Sequence, residues 1–158
     1  MSSPAVGQPA PSFELRGVHL VDGEATTSTY SLAGRAAPLV LVFYPGDATP
    51  VCTSQLCSYS SGLEAYTDLG ADVWAISTQG LASHERFARE HGLRVPLLAD
   101  DDKTVVQAYG VARLGGRHTA RSVFVLDAQG VIRWRDVRAV GLTWQKDVEL
   151  LRAVAALG

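Results

Sequence analysis

The chain has little cysteine, no long apolar run and no marked excess of either charge, and each shortage excludes a class of protein. Its formal net charge is −2 at pH 7, so no overall attraction to nucleic acid or to an anionic membrane is expected. No apolar run approaches the roughly 18 residues that a membrane-spanning helix requires. The opening residues, MSSPAVGQPAPSF, lack the basic and apolar regions of a secretory signal, so we expect a cytoplasmic location.

Cysteine occurs at only two positions, Cys52 and Cys57. In a reducing compartment such a pair does not serve as a lasting structural bridge, and a catalytic or redox role is favoured instead. Zinc is disfavoured because two thiolates fall short of four ligands. The four histidines lie far from the cysteines along the chain and are interpreted as surface residues; they are His19, His84, His91 and His118. No metal and no cofactor are expected.

What the chain does contain is a regular alternation of apolar segments and turn residues. The 158 residues predict one domain, 1–158, with an extended arm over 1–12. A strand pair is followed by alternating strands and helices and then by a hairpin and a last helix, which predicts a thioredoxin-like α/β sandwich with a central mixed sheet and helices on both faces. The predicted strands are 13–17, 25–32, 38–44, 71–77, 95–100, 121–127 and 131–137, and the predicted helices are 51–68, 84–91, 103–110 and 143–157.

The ends of these helices carry recognisable signals. Ser83 and Thr143 are predicted helix caps, and Gly92 is a predicted helix end. The acidic run 100–102 is interpreted as a turn and helix cap, and the Arg-rich stretch 112–121 as a solvated loop. On the last helix, an apolar face is predicted from the spacing of Val148, Leu151, Val154 and Leu157.

Cys52 lies where the loop after a buried strand becomes a helix. The unpaired N–H groups and the dipole of a helix start favour an anion, and therefore favour the reactive thiolate. The alternative from the residues alone is a buried apolar cysteine, which is a common fate of this residue.

Cys57 follows five positions later. On a regular helix, residues five apart have Cα atoms about 8.6 Å from each other, which exceeds the limit of about 7 Å for a disulfide without backbone movement. A resting bridge is therefore disfavoured, whereas a transient one, formed after the helix start unwinds, is allowed.

The segment FYPGDATPVCTSQLC, residues 43–57, resembles the active-site segment of the peroxiredoxins, whose pattern Pro-x-x-x-Thr-x-x-Cys is present here as Pro45, Thr49 and Cys52. The second cysteine is similar to that of the Q-type branch, also called bacterioferritin comigratory proteins. Further segments that follow the family's order are GQPAPSFEL, STQGLASHERFAREHGLRVPLLADDDKTVVQAYGV and RSVFVLDAQGVIRW. The resemblance thus covers nearly the whole chain and implies the thioredoxin-like fold.

The same resemblance implies a thiol-dependent peroxidase that reduces hydrogen peroxide and organic hydroperoxides. Cys52 would be the peroxidatic cysteine and Cys57 the resolving cysteine of an intramolecular disulfide, recycled by thioredoxin or a similar dithiol. Thr49 and Arg121 would be catalytic, and the peroxide would be bound by Pro45, Thr49, Val51 and Arg121. A monomer is expected.

Three residues depart from the family pattern. Gly46 and Asp47 stand where many relatives have a lysine, and Gln55 stands where many have glutamate. Two other functions remain open from the residues: a thioredoxin-fold disulfide oxidoreductase, which would want the closer Cys-x-x-Cys spacing, and a redox-gated binding or holdase protein, in which the disulfide unfolds a helix.

Overall fold

The computed structural model describes residues 3–47, 50–138 and 147–157. Its strands are β1 Glu14–Val21, β2 Glu24–Ser31, β3 Leu39–Phe43, β4 Asp72–Ser77, β5 Leu97–Ala99, β6 Ala112–Arg113, β7 His118–Thr119, β8 Ser122–Leu126 and β9 Ile132–Val137. Its helices are α1 Pro50–Ser61, α2 Leu63–Asp68, α3 Leu81–His91, α4 Thr104–Ala108 and α5 Asp147–Ala155. None of the helices in these residues is long and apolar enough to cross a membrane.

Seven of the described strands form one mixed sheet in the order β2-β1-β5-β4-β3-β8-β9. The three central strands β5, β4 and β3 are parallel to one another. The strands on either side of them are antiparallel to their neighbours, as β8 is to β3. This topology confirms the predicted mixed sheet, and it places the carboxyl ends of β3 and β4 beside the start of β8.

The strand β3 lies at the centre of the core because every one of its residues is buried. Successive side chains of a strand point to opposite faces of the sheet. Val40 and Val42 therefore join a cluster with helices α1, α2, α3 and α5, while Leu39, Leu41 and Phe43 join a second cluster that includes α4. Both faces of the sheet are thus covered, which explains why the strand reads as a continuous apolar run.

The prediction of a single helix over 51–68 was wrong, because the chain forms two helices there. The chain leaves helical geometry at Gly62, where φ is −97° and ψ is 16°, so α1 ends at Ser61 and α2 begins at Leu63. Both cysteines lie in α1. Its first residue is Pro50, a position at which proline is favoured because the missing N–H would have no helical partner.

Other local predictions were also corrected. Helix α3 begins at Leu81, after Gly80, so Ser83 lies within the helix and is not its cap. The stretch 112–121 is not a simple loop, since β6 and β7 pair as a short ribbon around a 3-10 turn. The predicted apolar face of the last helix was confirmed for Val154, which is buried, and for Leu151 and Leu157, which pack against the same core cluster; Leu150, which was not predicted, is buried as well. The predicted cap Thr143 lies outside the described residues.

Several predictions at the ends of elements were confirmed. Gly92 ends α3 with a φ of 59°, in the left-handed region that glycine adopts easily. The carboxylate of Asp100 accepts the backbone N–H groups of Val105 and Val106, and Asp102 accepts that of Thr104. The acidic run therefore caps α4, as its spacing indicates.

Candidate functional site

Three chain segments meet at one edge of the sheet. Tyr44 directly follows β3, and its backbone N–H donates to Ile76 of β4 over 3.1 Å. Because β3 and β8 are antiparallel, Phe43 at the end of β3 pairs with Ser122 at the start of β8. Arg121 precedes Ser122, so the sheet itself brings Arg121 beside the segment that leads from β3 to α1.

Arg121 contacts two side chains of α1 through its two terminal nitrogens. Nη2 lies 3.0 Å from Sγ of Cys52, and Nη1 donates to Oε1 of Gln55 over 2.5 Å. Arg121 is 2% exposed, and both Cys52 and Gln55 are fully buried. A positive charge is thus held against the sulfur in a site from which water is largely excluded, where an electrostatic interaction is stronger than at the surface.

Cys52 lies in the first turn of α1, two residues after Pro50. The backbone N–H groups of this turn have no carbonyl partner within the helix and carry partial positive charge. Of the other residues predicted at the site, Pro45 and Val51 are half-buried on either side of the loop that enters α1. Thr49 lies outside the described residues.

Cys57 does not lie beside Cys52 in the site. It is half-buried on α1 and lines a shallow cavity of about 190 Å³ together with Ser60, Ser61, His91, Gly92 and Arg94. Burial raises the pKa of the Cys57 thiol above its ordinary value of 9.0. Both cysteines are free thiols, so the structure corresponds to the reduced protein with the helix intact.

A cluster of polar side chains lies around Asp47, which is 8% exposed. One carboxylate oxygen of Asp47 accepts the hydroxyl of Tyr44 over 2.7 Å. The other lies 2.7 Å from Nδ1 of His84 and accepts the hydroxyl of Ser83 over 2.7 Å. The backbone N–H of Asp47 donates to the side-chain oxygen of Gln79. We call Tyr44, Asp47, Gln79, Ser83 and His84 the Asp47 cluster.

The prediction that His84 is a surface residue was wrong, because its side chain is fully buried. The helical period indicates this, since His84 shares a face of α3 with Phe87 and Ala88, which are also buried. Asp47 was noted only as a departure from the family pattern. Its contacts with α3 join residues 37 positions apart along the chain, and no local pattern of the sequence indicates them.

Burial, hydrogen bonds and charges in the Asp47 cluster shift the pKa of two groups. Burial raises the pKa of Asp47, but the hydrogen bond and charge of His84, with the Ser83 and Tyr44 hydroxyls, outweigh burial and lower the pKa below its ordinary value of 3.8. Burial, with the charge and hydrogen bond of Asp47 and the charge of Cys52, raises the pKa of Tyr44 well above its ordinary value. Asp47 is therefore a carboxylate at neutral pH, and Tyr44 keeps its proton.

Gly46 is in close contact with the same cluster. A Cβ atom at this position would lie 3.1 Å from Oε1 of Gln79, which is a tight contact. The side chain of Gln79 therefore occupies space that a longer residue at position 46 would need.

The arrangement suits chemistry at a sulfur atom. Cys52 is held at a helix start against a guanidinium, and both groups favour a thiolate. The same guanidinium is placed to donate to an oxygen that gains negative charge next to the sulfur. A protein with this fold and this site is a candidate for thiol-based redox chemistry.

Comparison with known proteins places the chain in a family. The AhpC/TSA family matches residues 6–135, and the chain belongs to it. Among its relatives, peroxiredoxin Q, chloroplastic, of Oryza sativa subsp. japonica is 39% identical over 129 residues, which are 81% of this chain and 57% of the relative. Peroxiredoxin Bcp of Bacillus subtilis (strain 168) is 33% identical over 141 residues, which are 84% of this chain and 86% of the relative. The chain spans little more than half the length of the plant relatives.

Solved structures show the same fold. The reduced 2-Cys peroxiredoxin of Plasmodium vivax is matched over 98% of this chain and 82% of its own, with a TM-score of 0.87 and 23% identity. AhpC of Mycobacterium bovis is matched over 99% of this chain and 94% of its own, with a TM-score of 0.87 and 23% identity. The thioredoxin-like fold of the peroxiredoxins, predicted from the sequence, is thereby confirmed.

Proposed function

We propose that this protein is a thiol-dependent peroxidase in which Cys52 reduces hydrogen peroxide and organic hydroperoxides. One observation carries the proposal: the buried contact of 3.0 Å between Nη2 of Arg121 and Sγ of Cys52 at the start of α1. The names of the relatives, peroxiredoxin Q and peroxiredoxin Bcp, support the same activity.

In the first step the Cys52 thiolate attacks one oxygen of the peroxide. An S–O bond forms and the O–O bond breaks, so that Cys52 becomes a sulfenic acid and the second oxygen leaves as water or an alcohol after it takes up a proton. The leaving oxygen gains negative charge as the O–O bond breaks. Arg121 and the N–H groups at the helix start stabilise that charge, and we assign Thr49 to the same task.

Activation of the thiol alone does not account for an enzyme of ordinary efficiency. Lowering a thiol pKa from about 8.5 to about 6 raises the thiolate fraction at pH 7 about 30-fold, or about 2 kcal/mol. Enzymes commonly accelerate their reactions by about 10⁶-fold or more. The larger part of the acceleration must therefore come from donors aimed at the breaking O–O bond.

In the second step Cys57 resolves the sulfenic acid. The Cys57 sulfur displaces the oxygen of the sulfenic acid, water is released, and a Cys52–Cys57 disulfide forms. Because residues five apart on a helix lie about 8.6 Å from each other, the start of α1 must unwind before the two sulfurs meet. A dithiol such as thioredoxin then reduces the disulfide by thiol exchange and is itself oxidised.

The setting of the enzyme belongs to the same proposal. We expect a monomer that acts on a small peroxide in the cytoplasm, with Pro45 and Val51 lining the approach to Cys52. The plant relatives are named chloroplastic, and the cytoplasmic location of this chain stays a prediction from its sequence.

The test is peroxide consumption with thioredoxin and its reductase as the source of electrons. Cys52→Ser should abolish consumption because no sulfenic acid can form. Cys57→Ser should consume about one equivalent of peroxide and then stop, since its sulfenic acid has no resolving partner. In the wild type, mass spectrometry after one equivalent of peroxide should find the 52–57 disulfide.

Two results would contradict the proposal. Sustained peroxide turnover by Cys52→Ser would show that another group reacts. Rapid reduction of insulin without peroxide, together with no peroxide consumption, would instead favour the disulfide oxidoreductase, and capture of partners on oxidation without turnover would favour the holdase.

A further inference from the structure

The Asp47 cluster binds the segment between β3 and α1 to helix α3. Asp47 accepts donors from both sides, the hydroxyl of Tyr44 at the end of β3 and the side chains of Ser83 and His84 on α3. Its backbone N–H donates to Gln79, directly before α3. Residues 44–47 are therefore attached to two elements of the core, neither of which is α1.

The hydrogen atoms of this cluster follow from its partners. Nε2 of His84 lies 3.0 Å from the carbonyl oxygen of Leu98, which can only accept, so Nε2 carries a hydrogen. Nδ1 lies 2.7 Å from a carboxylate oxygen of Asp47, so a second hydrogen bond joins the two side chains. The side chains of this pair are 0% and 3% exposed.

This assignment excludes a direct chemical task for the cluster. Both ring nitrogens of His84 are directed to groups other than Cys52, so the ring does not take a proton from the thiol. The hydroxyl hydrogen of Tyr44 is donated to Asp47, so it does not stabilise the thiolate. What the cluster can do is hold the backbone at Asp47 in one position. A buried hydrogen-bonded pair suits this task because removing one partner leaves a buried polar group without its partner.

We propose that Asp47 and His84 are positioning residues that hold the fixed end of the segment that unwinds when Cys57 resolves Cys52. The unwinding segment is the first turns of α1 from Pro50, whereas residues 44–47 stay attached to β3 and α3. Cys52 follows Asp47 by five positions, and an extended chain of that length spans up to about 17 Å. Cys52 can therefore leave its pocket without the Asp47 cluster opening.

The consequence is a balance between two steps. When Asp47 is held firmly, the intact helix α1 is favoured, in which Cys52 contacts Arg121 and reacts with peroxide. A released Asp47 favours the unwound segment, in which Cys52 meets Cys57. This inference rests on the proposed peroxidase function, and it predicts that the two rates change in opposite directions when the cluster is broken.

The experiment compares Asp47→Asn with the wild type. After mixing with hydrogen peroxide, quenched samples are analysed by mass spectrometry for sulfenic acid, trapped with dimedone, and for the 52–57 disulfide. We expect Asp47→Asn to form sulfenic acid about tenfold more slowly and then to form the disulfide at least threefold faster. In amide hydrogen exchange, residues 50–57 should lose protection while β3 and β4 keep theirs.

Asp100→Asn is the matched control. Asp100 is also a buried carboxylate, but it accepts N–H groups of α4 and not of the Asp47 cluster. We expect it to lower the midpoint of urea unfolding without changing the ratio of the two rates. If Asp47→Asn does not fold, Tyr44→Phe and Ser83→Ala each remove one donor to Asp47 and should shift the ratio in the same direction by a smaller factor.

The inference is overturned if both rates fall together in Asp47→Asn, or if their ratio stays within twofold of the wild type. A wild type that consumes no peroxide would reject the proposed function instead. In that case hydrogen exchange still decides the structural claim, because unchanged protection of residues 50–57 in Asp47→Asn would show that Asp47 does not hold the segment.

Discussion

At the scale of single residues, the partners of Arg121 decide how much of its charge acts on Cys52. Gln55 accepts a hydrogen bond from Nη1 but carries no charge. The neutral amide therefore orients the guanidinium without cancelling its charge. The position of Gln55 is itself supported, since its Nε2 donates to the hydroxyl of Tyr59 over 3.3 Å.

Replacing Arg121 should separate the effect of charge from that of geometry. Arg121→Ala should slow sulfenic acid formation about 100-fold or more, as the loss of one preorganised donor does in other enzymes. Arg121→Lys keeps the charge but lacks the planar fork that contacts both Cys52 and Gln55, and we expect it to recover only part of this loss. Stopped-flow kinetics with hydrogen peroxide measure the rate.

Arg133→Ala provides the control for this series, because Arg133 is half-exposed and pairs with Asp127 away from the site. Arg133→Ala should form sulfenic acid at the same rate as the wild type. An Arg121→Ala rate within threefold of the wild type would contradict the role assigned to Arg121.

At the scale of elements, the proposed cycle places two opposing requirements on α1. The folded helix places Cys52 against Arg121, and we propose that the first turns unwind so that Cys57 can reach Cys52. The sequence of α1 is a weak helix former, since Thr53, Ser54 and Ser58 lie between or beside the cysteines and prefer capping or turn positions. The helix is held largely by burial of Leu56 and Tyr59 in the core, so its exposed face can tune the cost of unwinding.

Ser54 offers a direct test, because it is exposed and lies between the two cysteines. Ser54→Ala should stabilise the helix by about 0.5 kcal/mol and Ser54→Gly should destabilise it by about the same amount. Disulfide formation should then be about twofold slower in the first and about twofold faster in the second. The rate of sulfenic acid formation, measured in the same quenched samples, should not change in either.

These two variants are each other's control, since they alter one exposed position in opposite directions. Equal rates of disulfide formation in both would show that unwinding of α1 does not limit resolution.

At the scale of the whole molecule, the described surface is compatible with a monomer. The exposed large apolar side chains of the described residues are Val6, Val21, Leu69 and Leu114. They lie on four different parts of the chain: the N-terminal segment, the end of β1, the residue after α2 and the 3-10 turn. A stable protein interface commonly buries about 800 Å² on each partner and has an apolar centre.

We therefore expect the reduced protein to sediment as a single species of 16.8 kDa. Sedimentation velocity over a hundredfold range of concentration measures this. A species of twice that mass that persists at the lowest concentration would contradict the expectation. Leu114 is the most exposed of these side chains, at 76%. Leu114→Ser would then test whether this side chain forms part of the dimer interface.

Much of the fold was predictable because its signals are local. The continuous apolar run of β3, the Asp22-Gly23 turn between β1 and β2 and the end of α3 at Gly92 each depend on residues close together in the chain. The break at Gly62 was missed, since glycine inside a helical pattern is often tolerated. The ribbon of β6 and β7 was missed because each strand has only two residues.

The candidate site was predictable only in part. The place of Cys52 at a strand-to-helix junction follows from the local pattern, whereas Arg121 was identified through the family resemblance. Its contact with Cys52 spans 69 positions and exists because β8 pairs antiparallel with β3. His84 was misplaced at the surface because the charge that stabilises it, Asp47, is 37 positions away.

The sequence by itself determined the order of the main strands and helices, the place of Cys52 at a helix start and the five-residue separation that disfavours a resting disulfide. These depend on helix geometry, turn chemistry and apolar periodicity, which act over a few residues. Only the tertiary structure decided which charges face the cysteine and which hold the loop before it. Those contacts join distant segments, and a buried charge is stable only where the folded chain supplies its partner.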